Sequence, residues 1–386
     1  MAGIYIHIPY CSKACHYCNF HFSTTRFNAR EMVDSILLEA RYRKDFFQQA
    51  PADTLILKTP PTISTIYFGG GTPSILPGDW IIQLIQTIKD LYPVEPAAEI
   101  TLEANPDDIT PNALEQWQTA GVNRLSIGVQ SFIQEDLKWM NRAHTTSQAG
   151  NSVILAQQAG LSNISLDLIY GTPYLTDSLW LDNLKKANDL GVDHLSAYAL
   201  TVEPRTALFK LIERGKIPPV DPEKQSRHFD LLMDWAGQNG FEHYEISNLS
   251  RPGHKSRHNS SYWQGLPYLG LGPSAHSYDG DVTRSWNIES NPLYIKILKQ
   301  GNLALTEEKL SLENSINEMI MIQLRMLTGL DLLSFEQRFG KAAKDKLLEL
   351  AEPAITSGQV ICLQDHLRLT RKGKHFADHI AMELFV

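Results

Sequence analysis

Three cysteines fall within eight positions near the start of the chain, Cys11-Ser12-Lys13-Ala14-Cys15-His16-Tyr17-Cys18, and only one more, Cys362, occurs in all 386 residues. A disulfide framework wants an even number of cysteines spread around a small secreted domain, so an odd trio in a long chain points to metal or iron–sulfur ligation. Cys11, Cys15 and Cys18 suit a cubane 4Fe–4S cluster with one iron left without a protein ligand, and an open iron can bind a substrate or cofactor directly. The bland alternative is zinc, which takes four ligands in a structural site and would draw its fourth from His7, His16 or His21. Cys362, far from the trio, reads as a buried apolar filler.

These residues need a scaffold, and the first two hundred residues supply one. Short β-branched segments at Ile4–Ile8, Thr65–Phe68, Glu99–Glu103, Arg124–Val129, Ile164–Ile169 and His194–Leu200 read as strands. Helical patterns lie between them, for example Asp79–Leu91 and Thr146–Gln158. Repeated β-α units predict an α/β fold with a parallel sheet, closed or nearly closed like a barrel. Polar residues collect at the C-terminal ends of these strands, the rim on which barrel enzymes gather their chemistry.

On that rim, Gly69-Gly70-Gly71-Thr72-Pro73 is stripped of side chains, so backbone amides can touch a ligand; a bare strand-to-helix reversal would need the same glycines. Glu103 ends the third strand and can accept from ribose hydroxyls, while Asp107 or Asp108 reads as a cap on the next helix. Asp167 sits inside the apolar run Ile164–Ile169, where an unpaired carboxylate is costly and a buried ion pair is the structural explanation. Arg142 follows as a cation that fits either a ligand carboxylate or a solvated surface.

The C-x3-C-x2-C spacing followed by an aromatic, just after a first strand, resembles the radical S-adenosylmethionine superfamily. Within it, Tyr5-Ile6-His7-Ile8-Pro9-Tyr10-Cys11 and Gly69-Gly70-Gly71-Thr72-Pro73-Ser74 resemble the anaerobic coproporphyrinogen III oxidase group, and nearly the whole chain is covered. The resemblance implies a partial (β/α)6 TIM-like barrel. It further implies that the open iron chelates the amino and carboxylate groups of S-adenosylmethionine, whose sulfonium bond an electron from the cluster cleaves to a deoxyadenosyl radical. Residues carried over as contacts to this cofactor are Tyr5, Tyr17, Gly70, Gly71, Thr72, Glu103, Gln130, Arg142, Asp167 and, through a looser alignment, Thr201.

Beyond Glu203-Pro204-Arg205-Thr206 the texture changes to one rich in His, Tyr and Trp. His258-Asn259-Ser260-Ser261-Tyr262-Trp263 fits the H-N-x-x-Y-W pattern of the haem-chaperone branch of this group, and Gly270-Leu271-Gly272-Pro273-Ser274-Ala275-His276-Ser277 follows. An imidazole can ligate haem iron and aromatics can stack on a macrocycle, which makes His258 the haem candidate by resemblance. The porphyrinogen oxidases carry a fourth cysteine two positions after the third and a longer leader; Phe20 stands at that position here, and ten residues precede the cluster motif. The expected function is therefore a haem chaperone that binds the cluster and S-adenosylmethionine and delivers haem to acceptor proteins. Its alternative is an enzyme, a coproporphyrinogen dehydrogenase that abstracts hydrogen from propionate side chains before decarboxylation. Either needs an electron donor such as flavodoxin or ferredoxin.

Three units are expected: the barrel core at 1–205, the family-specific extension at 206–304, and a C-terminal module at 305–386. Helical patterns at Asn314–Leu327, Leu332–Phe339 and Ala342–Ala351, with a hairpin over Val360–Leu363 and Leu367–Leu369, make that module winged-helix-like. DNA binding does not follow, because 35 Lys and Arg against 43 Asp and Glu leave a net charge of −8 and no clustered basic face. No apolar run reaches membrane-spanning length, which leaves only peripheral association, and the N-terminus runs straight into a strand without a targeting pattern. A reducing cytoplasm is the expected location.

Overall fold

The computed structural model describes residues 1–48 and 61–386. Six strands, β1 (Ala2–Ile8), β2 (Ile63–Gly70), β3 (Val94–Ala104), β4 (Arg124–Gln130), β5 (Ile164–Tyr170) and β6 (His194–Ala199), lie side by side in sequence order and pair in parallel. Their runs are buried on both faces, which is why they read as continuous apolar segments rather than alternating ones. Helices between them cover the outer face. The helix at Thr146–Gln158 is started by a capping box in which Thr145 and Gln148 satisfy each other's backbone amides, and its bounds are those the sequence predicts.

The sheet does not close on itself. Beyond β6 it continues into two antiparallel strands, β7 (Glu242–Glu245) and β8 (Asn248–Ser250), in the order β6-β8-β7. On the other side β9 (Tyr268–Leu271) pairs in parallel with β1, and β10 (His276–Tyr278), β11 (Thr283–Asn287) and β12 (Leu305–Lys309) extend the edge antiparallel. Among the described residues twelve strands thus form one open, partial barrel. Residues of 206–304 therefore add strands to both ends of the core sheet and share its hydrophobic cluster, which runs from Ala2 to Ala304.

A buried carboxylate locks the extension to the core. Glu39, on the helix Ala29–Tyr42, accepts from Gly272 N (2.8 Å), Asn287 Nδ2 (2.8 Å) and the Tyr294 hydroxyl, and lies 3.5 Å from Arg43. Such a charge is tolerable only because every oxygen has a partner. A separate cluster from Ile316 onward forms the core of the C-terminal module. It holds helices Leu312–Leu324, Leu332–Phe339 and Lys341–Thr356 and a three-stranded antiparallel sheet of Leu330–Asp331, His366–Leu369 and Val360–Leu363. Arg325 bonds Glu245 and Arg284 bonds Glu318 through both oxygens, joining the module to the sheet, and Arg371 bonds Asp230 and Asp234 on the helix Pro222–Gln238. Among the described residues no helix is long and apolar enough to cross a membrane.

Two expectations fail at the level of single residues. Cys362 is exposed, on the edge strand of the three-stranded sheet close to its hairpin turn. Asp107 and Asp108 do not cap the helix at Pro111–Ala120; Thr110 does, accepting from Ala113 N, while Asp108 accepts from the Ser74 hydroxyl at 2.6 Å.

Candidate functional site

The parallel strands deliver their C-terminal ends to one rim, and a cavity of about 450 Å³ opens there. Cys11, Cys15 and Cys18, on the loop that follows β1, line it together with Tyr17, Gly70, Gly71, Thr72, Glu103, Gln130, Arg142, Asp167 and Thr201. Polar contacts hold this wall. The Thr72 hydroxyl donates to Cys11 Sγ (3.5 Å), and Arg142 donates to Cys15 Sγ (3.2 Å), Asn105 Oδ1 (2.6 Å) and the Gly128 carbonyl (2.7 Å). Arg142 is thus neither on the surface nor saturated: its Nε is buried without a partner.

Two carboxyls form the floor. Glu103 accepts from the Tyr67 hydroxyl at 2.8 Å, and burial, reinforced by the charge of Asp167, pushes its pKa up to about 8. Asp167 is pushed up to about 6 by burial, against which the hydroxyls of Ser196 and Ser126 work. Ser126 sits 3.3 Å from both its oxygens, so serines and not an ion pair satisfy it. Gly70 has φ +111°, and a Cβ at Gly71 would come within 2.5 Å of the Tyr10 carbonyl oxygen, so only glycine lets these segments pass. Gln130 is held at φ 65°, a strained conformation for a non-glycine residue of the kind found at binding sites.

The donor set fits the groups it would hold. Burial pushes the Cys11 thiol up to about 11 and raises Cys18, so these sulfurs become thiolates only when a cationic centre sits beside them. An unpartnered guanidinium nitrogen and two under-solvated carboxyls around a concave space match a zwitterionic amino acid joined to a ribose. The three histidines near the trio each spend at least one ring nitrogen on a hydrogen bond. His7 is hydrogen-bonded to Tyr5 and the His21 carbonyl, His16 to the Trp139 carbonyl and His21 to Asn291, and among the described residues no three His, Cys, Asp or Glu side chains are disposed to hold a single metal ion.

A second cavity, of about 820 Å³, lies beside the first and shares Asn19 and Phe20 with it. Its wall is aromatic, with Tyr5, Tyr262, Trp263, Tyr268 and Tyr278, and carries His7, His21, His276, Arg284 and Arg338. Its residues come from the core, the extension and the C-terminal module. Burial and the neighbouring Arg284 lower the pKa of His276, favouring the neutral imidazole.

Comparison with known proteins places this arrangement. Residues 5–187 match the Radical SAM superfamily and residues 310–376 the HemN C-terminal domain. The chain is 34% identical over 383 residues to the heme chaperone HemW of Mycobacterium tuberculosis, covering 99% of this chain and 94% of that one. It is 31% identical over 395 residues to the heme chaperone HemW of Escherichia coli, covering 100% and 98%. The chain belongs to the HemW family of radical SAM proteins. The coproporphyrinogen III oxidase HemN of Escherichia coli shares the fold, with a TM-score of 0.84 at 24% identity over 100% of this chain and 90% of that one. Membership in the radical SAM superfamily implies a 4Fe–4S cluster and S-adenosylmethionine.

In this HemW-family chain the rim cavity collects every residue proposed to touch cluster or cofactor except Tyr5, which lines the second cavity. His258 lines neither. It is 1% exposed, its ring hydrogen-bonded to Thr65 Oγ1 (2.7 Å) and the Tyr262 hydroxyl (2.9 Å), and stacked on Tyr67 at 4.9 Å. Burial lowers its pKa to about 3. Its two motif partners Tyr262 and Trp263 do face the second cavity, so His258 supports a wall that they present. Sequence reasoning missed Asn105, which also donates to the Thr72 hydroxyl, and the serines under Asp167; Asn105 precedes Pro106 at a strand end, a signal that reads equally well as a turn. It also missed His276 as a wall residue, although its glycine-rich segment stood out.

Proposed function

We propose that the chain binds a 4Fe–4S cluster through Cys11, Cys15 and Cys18, holds S-adenosylmethionine in the rim cavity, and carries haem in the aromatic cavity for delivery to acceptor proteins. The observation that supports this most is the pair of adjoining cavities: a polar one matched to a zwitterion and ribose, and a larger aromatic one suited to a flat macrocycle. Relatives across the whole length are named heme chaperones. Within the rim cavity Arg142 would receive the methionine carboxylate, the Gly70–Thr72 backbone its amino group, and Glu103 and Asp167 the hydroxyls. The bound cluster and S-adenosylmethionine would together supply one-electron chemistry. An electron donor such as flavodoxin or ferredoxin would reach the cluster, and the reducing cytoplasm would protect it.

A second reading is favoured by the same adjacency, since a coproporphyrinogen dehydrogenase also needs its substrate beside the radical source, and the fold is that of HemN. Against it stands Phe20, which is 69% exposed and borders both cavities where the oxidases are expected to carry a cysteine. The test is to incubate anaerobically reconstituted protein with reductant, S-adenosylmethionine and coproporphyrinogen, and in parallel with haem and an apo-acceptor. Stoichiometric haem binding and transfer without vinyl-group formation is the expected result; vinyl product with cofactor cleavage would replace the chaperone by the oxidase.

A further inference from the structure

The haem reading leaves the iron ligand unassigned, and the aromatic cavity offers three histidines besides the buried His258. His7 has both ring nitrogens engaged, by the Tyr5 hydroxyl at 3.2 Å and the His21 carbonyl at 2.9 Å. His21 has Nε2 on Asn291 Oδ1 at 2.8 Å. His258 would have to surrender Thr65 or Tyr262 and leave a core position to reach any ligand. His276 differs from all of them: its side chain is exposed to the cavity, and among the described residues neither ring nitrogen has a hydrogen-bond partner.

The local fold aims it there. A Cβ on Gly270 would come within 2.1 Å of the His276 carbonyl oxygen, so β9 and β10 approach at backbone contact. Ser277 is 1% exposed, and its hydroxyl accepts from Gly270 N at 2.9 Å. Strand alternation then turns His276 and Tyr278 to the opposite face, and both line the cavity. The His276 ring lies nearly parallel to Trp286, 6.2 Å away at 27°, which limits its rotation. A free, oriented imidazole beside Tyr262, Trp263 and Tyr268 is what iron in a macrocycle requires: one ring nitrogen donates its lone pair to the metal while the aromatics pack on the ring.

We propose that His276 ligates the haem iron in the aromatic cavity, with His258 as a positioning residue for Tyr262. This rests on the haem reading, and the experiment separates the two. Ferric haem is titrated into the full-length protein, followed by the Soret band and electron paramagnetic resonance, for the unmodified chain, His276→Ala, His276→Gly with added imidazole, and His276→Met. The expected result is a nitrogen-ligated spectrum in the unmodified chain, an affinity lower by about tenfold or more in His276→Ala, and recovery of the spectrum with imidazole in His276→Gly. Because His276 makes no bond that holds the fold, cluster content and melting temperature are expected to stay unchanged. Should His276→Ala nonetheless melt early, His276→Met decides, since a thioether ligand changes the spectrum without emptying the position. Haem bound with the same spectrum and affinity in all variants would overturn the assignment while leaving the haem reading standing. No stoichiometric haem binding by the unmodified chain would overturn both.

Discussion

The two cavities are built in opposite ways. The rim cavity is made at the ends of consecutive parallel strands, each contributing one short polar segment, and its walls are charged and strained: Arg142 with a free buried nitrogen, Glu103 and Asp167 driven toward the protonated state, Gln130 at φ 65°. The aromatic cavity draws residues from Tyr5 to Arg338, has Arg284 paired with Glu318, and gains its shape from rings that meet edge-on or tilted, as Tyr262 and Tyr278 do on Tyr268. The contrast teaches that the first is poised for a small polar ligand at a fixed address, whereas the second exists only when three parts of the chain are docked together.

The comparison can be broken most sharply at the cluster. Cys11→Ser, Cys15→Ser or Cys18→Ser should each abolish iron binding, because no other cysteine lies on the rim, and Cys362→Ser should change nothing; iron and sulfide analysis of anaerobically reconstituted variants checks this. Full iron content in Cys15→Ser would remove the rim cavity's assigned chemistry. Next comes Gly71→Val. Its Cβ would strike the Tyr10 backbone, one residue before Cys11, so S-adenosylmethionine binding should be lost and the cluster loop displaced as well. Calorimetric titration and iron content, read together, test that; unchanged values in both would show that a side chain at Gly71 has room beside the Tyr10 carbonyl.

His258→Ala probes the wall between the cavities. Losing two buried hydrogen bonds and a stacked ring should cost about 2–4 kcal/mol of stability, seen in denaturant melts. Any loss of haem binding should follow that loss of structure, in contrast to His276→Ala, which should bind haem poorly while melting normally. A subtler effect concerns pH. Glu103 holds its proton in the folded chain up to about 8 but releases it near 4.5 when unfolded, so in that window the folded state binds more protons and stability falls as pH rises. Glu103→Gln should therefore gain on the unmodified, cofactor-free chain between pH 5 and pH 8, by at most a few kcal/mol. An equal pH slope in both proteins would mean that Glu103 is solvated and the floor of the rim cavity is wet.

How much was legible follows from the same division. The strand expected at Ile164–Ile169, found at Ile164–Tyr170, and the helix at Thr146–Gln158 were readable because an apolar run and a helical pattern are local features. The cysteine trio, Gly70–Thr72 and Glu103 were readable because their chemistry is written at short spacing. Asn105 was not, since an Asn-Pro at a strand end carries no mark of the arginine and hydroxyl it will join. Tyr5 was carried over as a cofactor contact by resemblance, and in the fold it lines the other cavity.

By itself, then, the amino-acid sequence determined the parallel β/α core and the close spacing of the cysteine trio, because each depends on residues a few positions apart along one strand or loop, whereas the proposed cofactor contacts rested on resemblance. Tertiary structure alone decided which histidines face the aromatic cavity and where that cavity lies. His258 stands in the more recognisable motif, but docking of its helix against Glu99, Thr65 and Gly3 buries it. The backbone contact of β10 with Gly270 leaves His276 in the open. A side chain's exposure is the sum of everything that packs on it, and that sum is fixed only when segments separated by hundreds of residues meet.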